Sequence, residues 1–172
     1  MSESDGRDVP PAASRDEDDR IASVLRDQGV YASTTVGISM WPMLRNRRDT
    51  IVIRPIGRSE RLNVGDVVLY QAQGRHVLHR IVGVHDGWYA IRGDNCLPTE
   101  RVSGEQILGR LDEFYRGSRH VVVSESRIYR LYWRTWLILW PVRRLWKHVR
   151  SAMGRVLRRF GWRGLHPDRG PF

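Results

Sequence analysis

The sequence predicts a mainly β protein: a compact antiparallel β-domain with a short N-terminal helix and a basic, amphipathic helical tail at the C-terminus. Three observations support this prediction. Short β-branched runs separated by Gly, Asp, Asn or Pro fill residues 30–125. Apolar residues at helical spacing precede them, and a Trp- and Arg-rich stretch with a helical period follows them. A length of 172 residues suits one modest domain with appendages.

The N-terminal segment is acidic and polar. Residues 1–28 hold eight acidic and four basic side chains. Residues 1–14 have neither the basic start nor the apolar stretch of a secretory signal, and we expect them to be disordered. Ser14 followed by Glu17 fits a capping box, and apolar residues then recur at helical spacing. A short amphipathic helix is therefore predicted over residues 15–29.

The β-domain is predicted over residues 30–125 from a series of short runs with strand character, separated by turn residues. These runs are TIVIRPI, DVVLYQA, HVLHRIVGV, WYAIRG and HVVV. A single cysteine, Cys96, excludes an internal disulfide and gives no reason to assume an oxidising compartment.

The C-terminal segment is predicted to be an amphipathic helical tail over residues 126–162, with a flexible end at 163–172. Its apolar residues fall on one helical face and its basic residues on the other. The apolar face comprises Val142, Leu145, Trp146, Val149, Met153, Val156, Leu157 and Phe160. Pro141 is expected to kink or break the helix. The longest uncharged run, Thr135 to Val142, has eight residues, whereas a spanning helix needs about 20.

A basic face opposite Trp, Leu and Phe suits a helix that lies in the headgroup plane of an anionic membrane. We therefore expect residues 128–160 to contact such a surface, with the protein peripheral at the cytoplasmic face. Alternatively, the apolar stripe covers the β-domain or a partner protein. The arginines would also suit phosphates, but a continuous apolar stripe is more than a phosphate-binding helix requires, and nucleic acid is not the expected partner.

Ser39 is a candidate nucleophile in the run GISMWPML. It lies between a strand-like segment and Pro42, and is therefore expected on a turn at a strand exit. Gly37 would let the backbone come close to a substrate. Serine is a weak nucleophile until a base accepts its proton and donors stabilise the developing oxyanion. On its own this run is weak evidence, because a serine before a turn proline is commonplace.

His79 is a candidate general base in the run HVLHRIVGV. On a strand it shares a face with Val77 and Ile81, and aliphatic neighbours would keep the imidazole neutral, as a general base requires. A structural core histidine is the alternative. His76 would point to the opposite face, and no Cys pair or His-Glu helix motif is present, so neither a metal site nor a cofactor is predicted.

Taken in order, the runs GISMWPML, LNVGDVVLY, HVLHRIVGV, AIRGDN and ILGRL resemble the sequence boxes of type I signal peptidases. They are most similar to the archaeal and endoplasmic-reticulum branch, in which a histidine replaces the lysine base. The resemblance covers residues 35–112, and the combination of boxes is specific although no single box is. It implies a β-domain of signal-peptidase type that acts as a serine endopeptidase.

The resemblance assigns roles to individual residues. Ser39 matches the nucleophile, whose backbone amide helps to form the oxyanion hole, and His79 matches the base. Glu100 matches the triad acid with a longer side chain, and Asp94 of the GDN run is the alternative orienter of the imidazole. Substrates of the family have small side chains before the cut and bind in an extended pose along a β-edge. Their expected contacts here are Gly37, Met40 and Pro42.

Two local departures accompany the resemblance. The family has Gly-Asp about nine residues after the serine, whereas here Asp49 comes one residue late and follows Arg48. Glu100 replaces an aspartate. Signal peptidases also carry an N-terminal membrane span, and this sequence has the basic tail instead. We expect a protease held on the inner membrane surface that cleaves a leader-type peptide, although a more deeply inserted tail would turn the site outward.

Two alternatives use the same fold. In the first, the β-domain is a peptide-binding module without catalysis, tethered to the membrane by the tail. In the second, it is a self-cleaving repressor-type domain with a Ser-Lys dyad. The second is disfavoured because Lys147, in the tail, is the only lysine in the chain.

Overall fold

The computed structural model describes residues 12–57, 59–146 and 149. The chain forms two compact units, of which the first ends at Arg134 and the second begins at Thr135. Residues 1–11 of the segment 1–14 that is predicted to be disordered, and the predictions for residues 150–172, lie outside the described residues.

The first unit is mainly antiparallel β-sheet, as the sequence predicts. Along the described chain the elements follow one another in the order helix, eight strands, helix, and the last helix continues past Arg134 into the second unit. They are α1 (Ala12–Gln28), β1 (Tyr31–Thr34), β2 (Thr50–Arg54), β3 (Val67–Ala72), β4 (Arg75–His85), β5 (Trp88–Arg92), β6 (Glu100–Ser103), β7 (Ile107–Arg116), β8 (Arg119–Val122) and α2 (Arg127–Ile138). A 3₁₀ turn at Gly104–Gln106 joins β6 to β7.

The strands form one sheet in the order β1-β2-β7-β3-β4-β5-β6, and β8 also pairs with β7. Every pairing is antiparallel. The β3–β4 hairpin has a two-residue loop, Gln73 and Gly74, in which both residues have positive φ. That conformation matches the twist of a hairpin, and it fixes the register that sets Val68 opposite His79.

Both faces of the sheet are buried near β3, because alternate side chains of this strand enter two different cores. Val67 and Leu69 join the larger core, which also takes Ile21 and Leu25 from α1. The other face of β3 packs in a second core. The members of the second core are Leu62, Val68, Tyr70, Ile81, Ile91 and Val102. A strand with two buried faces can place a polar group in a dry environment on either side.

Helix α1 begins at Ala12, three residues before the predicted start, and ends at Gln28. Gly29 follows with φ of 70° and donates its amide to the carbonyl of Leu25. This left-handed residue terminates the helix because glycine adopts the conformation without steric cost. The predicted capping box of Ser14 and Glu17 depends on two side chains that lie outside the described part of the structure, although their backbone is helical.

Helix α2 starts where the sequence predicts the tail to begin. The hydroxyl of Ser126 accepts a 3.1 Å hydrogen bond from the amide of Tyr129 and so caps the first turn. The regular helix ends at Ile138, a turn follows at Leu139, and residues 140–146 are helical again. The interruption lies two residues before Pro141, as its missing amide predicts. The helices of the described ranges fall short of the length and apolar character that a membrane span requires.

Candidate active site

Ser39 lies in the turn that follows β1 and is half-buried. Its carbonyl accepts a 2.7 Å hydrogen bond from the amide of Asn95, and the Asn95 side chain donates to the carbonyl of Ile38 at 3.3 Å. The loop after β5 therefore holds the serine turn in place. Within the described part of the chain, neither the hydroxyl nor the backbone amide of Ser39 makes a hydrogen bond.

Gly93 adjoins both the backbone of Ser39 and the ring of His79. A Cβ atom at Gly93 would lie 2.8 Å from the carbonyl oxygen of Ser39, 2.9 Å from Nε2 of His79 and 2.8 Å from Sγ of Cys96. These distances leave no room for a side chain, so glycine is required by close approach. The GDN run, which resembles an ordinary turn, thus supplies the gap into which the serine turn and the imidazole converge.

The sheet register brings Tyr70 and Glu100 to the other side of the His79 ring. Because Val68 lies opposite His79, Tyr70 is its diagonal neighbour on the same face. The Tyr70 hydroxyl lies 3.1 Å from His79 Nδ1 and donates a 2.7 Å hydrogen bond to Oε2 of Glu100. Oε1 of Glu100 lies 3.6 Å from the same Nδ1, which is beyond hydrogen-bond length.

Burial governs the protonation of this cluster. It lowers the pKa of His79 from its ordinary value, although the charges of Glu100 and Asp94 partly oppose the change. The imidazole is therefore neutral near pH 7, the state in which Nε2 can accept a proton. Burial and the hydrogen bond to Glu100 raise the pKa of Tyr70, so its hydroxyl remains protonated.

Asp94 is committed to Arg80, the neighbour of His79 on β4. Its two carboxylate oxygens receive Nε and Nη2 of Arg80, each at 2.8 Å. Nη1 of Arg80 donates to the Gly65 carbonyl and to the Tyr129 hydroxyl, also at 2.8 Å, and the Tyr132 hydroxyl donates to Asp94 at 3.0 Å. The sequence left open whether Glu100 or Asp94 orients His79; in this geometry Glu100 stands at the imidazole and Asp94 holds the arginine.

Asp49, which comes one residue later than the signal-peptidase pattern expects, is fully buried. Its carboxylate accepts the amide of Arg45 and Nε of Arg116, each at 3.1 Å. Arg47, with φ of 53°, takes the left-handed position of this turn, so no glycine is needed at Arg48. The turn therefore closes around the buried Asp49 carboxylate without a glycine at position 48.

A cleft of about 370 Å³ adjoins Ser39. Its walls are β1 with the turn after it on one side and the start of β4 on the other. The lining residues include Ser33, Thr34, Gly37, Met40, His76 and Leu78. The register of β4 with β5 begins at Arg80, past the part of β4 that lines the cleft. Of the three predicted substrate contacts, Pro42 lies elsewhere, in a separate cavity of about 840 Å³.

Among residues 12–57, 59–146 and 149, no group of three or more His, Cys, Asp or Glu side chains is placed to hold a metal ion. The two histidines at the start of β4 have different surroundings. His76 lines the cleft, whereas His79 belongs to the cluster with Tyr70.

Sequence reasoning missed Tyr70, Tyr129 and Tyr132. Tyr70 belongs to the run LNVGDVVLY, but its contact with His79 depends on the β3–β4 register. The two α2 tyrosines belong to a segment whose pattern predicts only a helical tail. Comparison with models of known protein families and with curated proteins found no match to this chain.

Proposed function

We propose that this protein is a membrane-associated serine endopeptidase of the signal peptidase I type, which cleaves leader- or signal-type peptides after small residues. The proposal is supported by one observation above all. The carbonyl oxygen of Ser39 and Nε2 of His79 lie 2.8 and 2.9 Å from the position that a Cβ atom at Gly93 would take. The resemblance of the surrounding runs to signal-peptidase boxes provides the class of reaction.

In the proposed mechanism, Oγ of Ser39 attacks the peptide carbonyl while Nε2 of His79 takes its proton. The imidazolium then donates that proton to the leaving amine, which departs as the new N-terminus. The backbone amide of Ser39 stabilises the oxyanion. Water, deprotonated by His79, hydrolyses the acyl-enzyme and restores the serine. In such sites the hydrogen bond between the serine hydroxyl and the imidazole often forms only when substrate binds.

The cleft suits a substrate in extended conformation. The first residues of β4, which precede its pairing with β5, line one side of the cleft, and the segment of residues 33–37 faces it from the other side, so an extended peptide would lie between two strand-like walls. Gly37 carries no side chain that would hold a peptide away from this wall. A peptide threaded here would present its scissile carbonyl to Ser39.

The test is cleavage of leader-type peptides with alanine before the scissile bond, measured by mass spectrometry. We expect the wild-type protein to cleave and the Ser39→Ala variant to lose all activity. Ser118→Ala, at an exposed turn position, is the matched control and keeps full activity. Cleavage by Ser39→Ala at the wild-type rate would refute the mechanism.

The second unit supports the membrane part of the proposal. Ile138, Val142, Leu145 and Trp146 are exposed, while Arg143 and Arg144 lie over the rings of Trp136 and Trp140. Exposed apolar side chains next to arginines are typical of helices that bind anionic lipid at the cytoplasmic leaflet.

Vesicle co-sedimentation tests this attachment. The protein is expected to bind vesicles that contain phosphatidylserine and to bind neutral vesicles weakly, and Leu145→Asp should reduce binding to both. Binding to duplex DNA without binding to vesicles would overturn the membrane assignment.

A peptide-binding module without catalysis is the second candidate. One observation favours it: the Ser39 hydroxyl makes no hydrogen bond to His79 among the described residues. Tight binding of intact leader peptides by wild-type protein, without hydrolysis under any condition that keeps the fold, would support the module over the peptidase.

A further inference from the structure

The hydroxyl of Tyr70 has two neighbours but only one proton. Its oxygen lies 2.7 Å from Glu100 and 3.1 Å from Nδ1 of His79. An ionised carboxylate can only accept, so the hydroxyl proton must point at Glu100. The Tyr70 oxygen then offers only lone pairs to the imidazole, and His79 must approach it with an Nδ1–H.

This order of hydrogen bonds determines the tautomer of His79. A neutral imidazole carries one ring proton, and a proton on Nδ1 leaves a lone pair on Nε2. Nε2 is the nitrogen that lies beside Gly93 and the serine turn. A general base for Ser39 needs its lone pair at this nitrogen.

We infer that Tyr70 is a positioning residue: it holds His79 in the Nδ1–H tautomer, and Glu100 acts on the imidazole through the Tyr70 hydroxyl. The catalytic consequence rests on the proposed function, whereas the tautomer is a property of the folded chain whether or not it cleaves peptides. When the imidazole takes the serine proton, the Tyr70 oxygen accepts from the charged ring and Glu100 balances its charge. Tyr70 and Glu100 together thus take the place of the single acid in a Ser-His-acid triad.

Histidine ¹⁵N NMR at neutral pH tests the tautomer directly. The His79 signals are assigned by their loss in His79→Asn. In the wild-type protein we expect a protonated Nδ1 and a lone-pair Nε2. Tyr70→Phe, which keeps the buried ring, should shift His79 toward the Nε2–H form. Tyr89→Phe on β5 is the matched control and should leave the signals unchanged. An unchanged His79 tautomer in folded Tyr70→Phe would overturn the inference.

Variants at Glu100 separate the two links of the chain. In Glu100→Gln the amide oxygen still accepts the Tyr70 proton, and we expect the Nδ1–H tautomer to persist. In Glu100→Ala the Tyr70 proton is free to turn toward His79, which should favour the Nε2–H form. The same Nδ1–H tautomer in Glu100→Ala as in the wild type would show that Glu100 does not act through Tyr70.

Kinetics connect the tautomer to the reaction. Tyr70→Phe should lower kcat about 10²-fold, the lower end of what general-base catalysis contributes, with little change in KM because the residue lies on the far side of the imidazole. Unchanged kcat with a shifted tautomer would overturn the positioning role. Peptide cleavage that continues without Ser39 would instead refute the peptidase mechanism, while the NMR result on the His79 tautomer would still hold. A failure of the proposed function can therefore be distinguished from a failure of the inference about Tyr70.

Discussion

His79 and Arg80 are neighbours on β4, point to opposite faces and lie in contrasting environments. The Arg80–Asp94 pair is dry, with side chains 0% and 2% exposed, and Asp94 receives the guanidinium through two parallel bonds. The His79–Glu100 pair is half-open: the histidine is 7% exposed and the glutamate 42%. The first arrangement suits a fixed support, and the second leaves an imidazole free to gain and lose a proton.

The largest expected effect comes from disrupting the buried Arg80–Asp94 pair. Asp94→Asn leaves the buried Arg80 charge unpaired, and we expect the free energy of unfolding to fall by about 3–5 kcal/mol. Glu100→Gln should change it by less than about 1 kcal/mol, because the carboxylate is partly hydrated. Urea denaturation of both variants measures the contrast. Equal losses of stability in the two variants would contradict the distinction between a structural Arg80–Asp94 pair and a titratable His79–Glu100 pair.

Substitution of Gly93 should impair activity more than stability. In Gly93→Ala the new methyl group would displace the serine turn or the His79 ring, and a misplacement of this kind costs about 10²-fold in rate. Gly104→Ala is the control, because its Cβ would meet nothing closer than 4.0 Å. Peptide cleavage by Gly93→Ala at the rate of Gly104→Ala would contradict the convergence of Ser39 and His79 at this position.

Changing pH sharpens the comparison with a smaller effect. Because burial lowers the pKa of His79, kcat/KM should decline only at a pH below about 6.5, the ordinary value. The same shift predicts that the folded state loses stability as pH falls from about 6.5 to the lowered pKa, since the unfolded chain takes up a proton first. An acid limb of kcat/KM above 6.5 would contradict a desolvated base. In His79→Gln, the contribution of this histidine to the pH dependence of the free energy of unfolding should disappear.

Local patterns in the sequence were sufficient for the coarse architecture. Alternating β-branched runs predicted an antiparallel β protein, and Ser39 and His79 emerged as candidates from a turn and a strand face. The Tyr70 contact was out of reach, because it depends on which β3 residue lies opposite His79. The sequence also offered two acids for one histidine, and only the paired strands show that Asp94 is taken by Arg80.

The glycine of the GDN run illustrates the same limit. Its tolerance of turn geometry is visible in the sequence and suggests nothing more than a hairpin. Its actual constraint is the close approach of two groups from distant segments, Ser39 and His79, together with the neighbouring Cys96 of the same loop. A requirement of this kind is set by tertiary packing and leaves no mark on the local pattern.

The central claim is that Ser39, activated by His79, is the nucleophile. A leader-type peptide whose scissile carbonyl is replaced by an electrophilic phosphonate tests it most directly, with the modified residue located by mass spectrometry. We predict phosphonylation of Ser39 alone in the wild-type protein and a large loss of labelling in His79→Gln. Labelling of Cys96 in place of Ser39, or labelling of Ser39 at an equal rate in His79→Gln, would contradict the account.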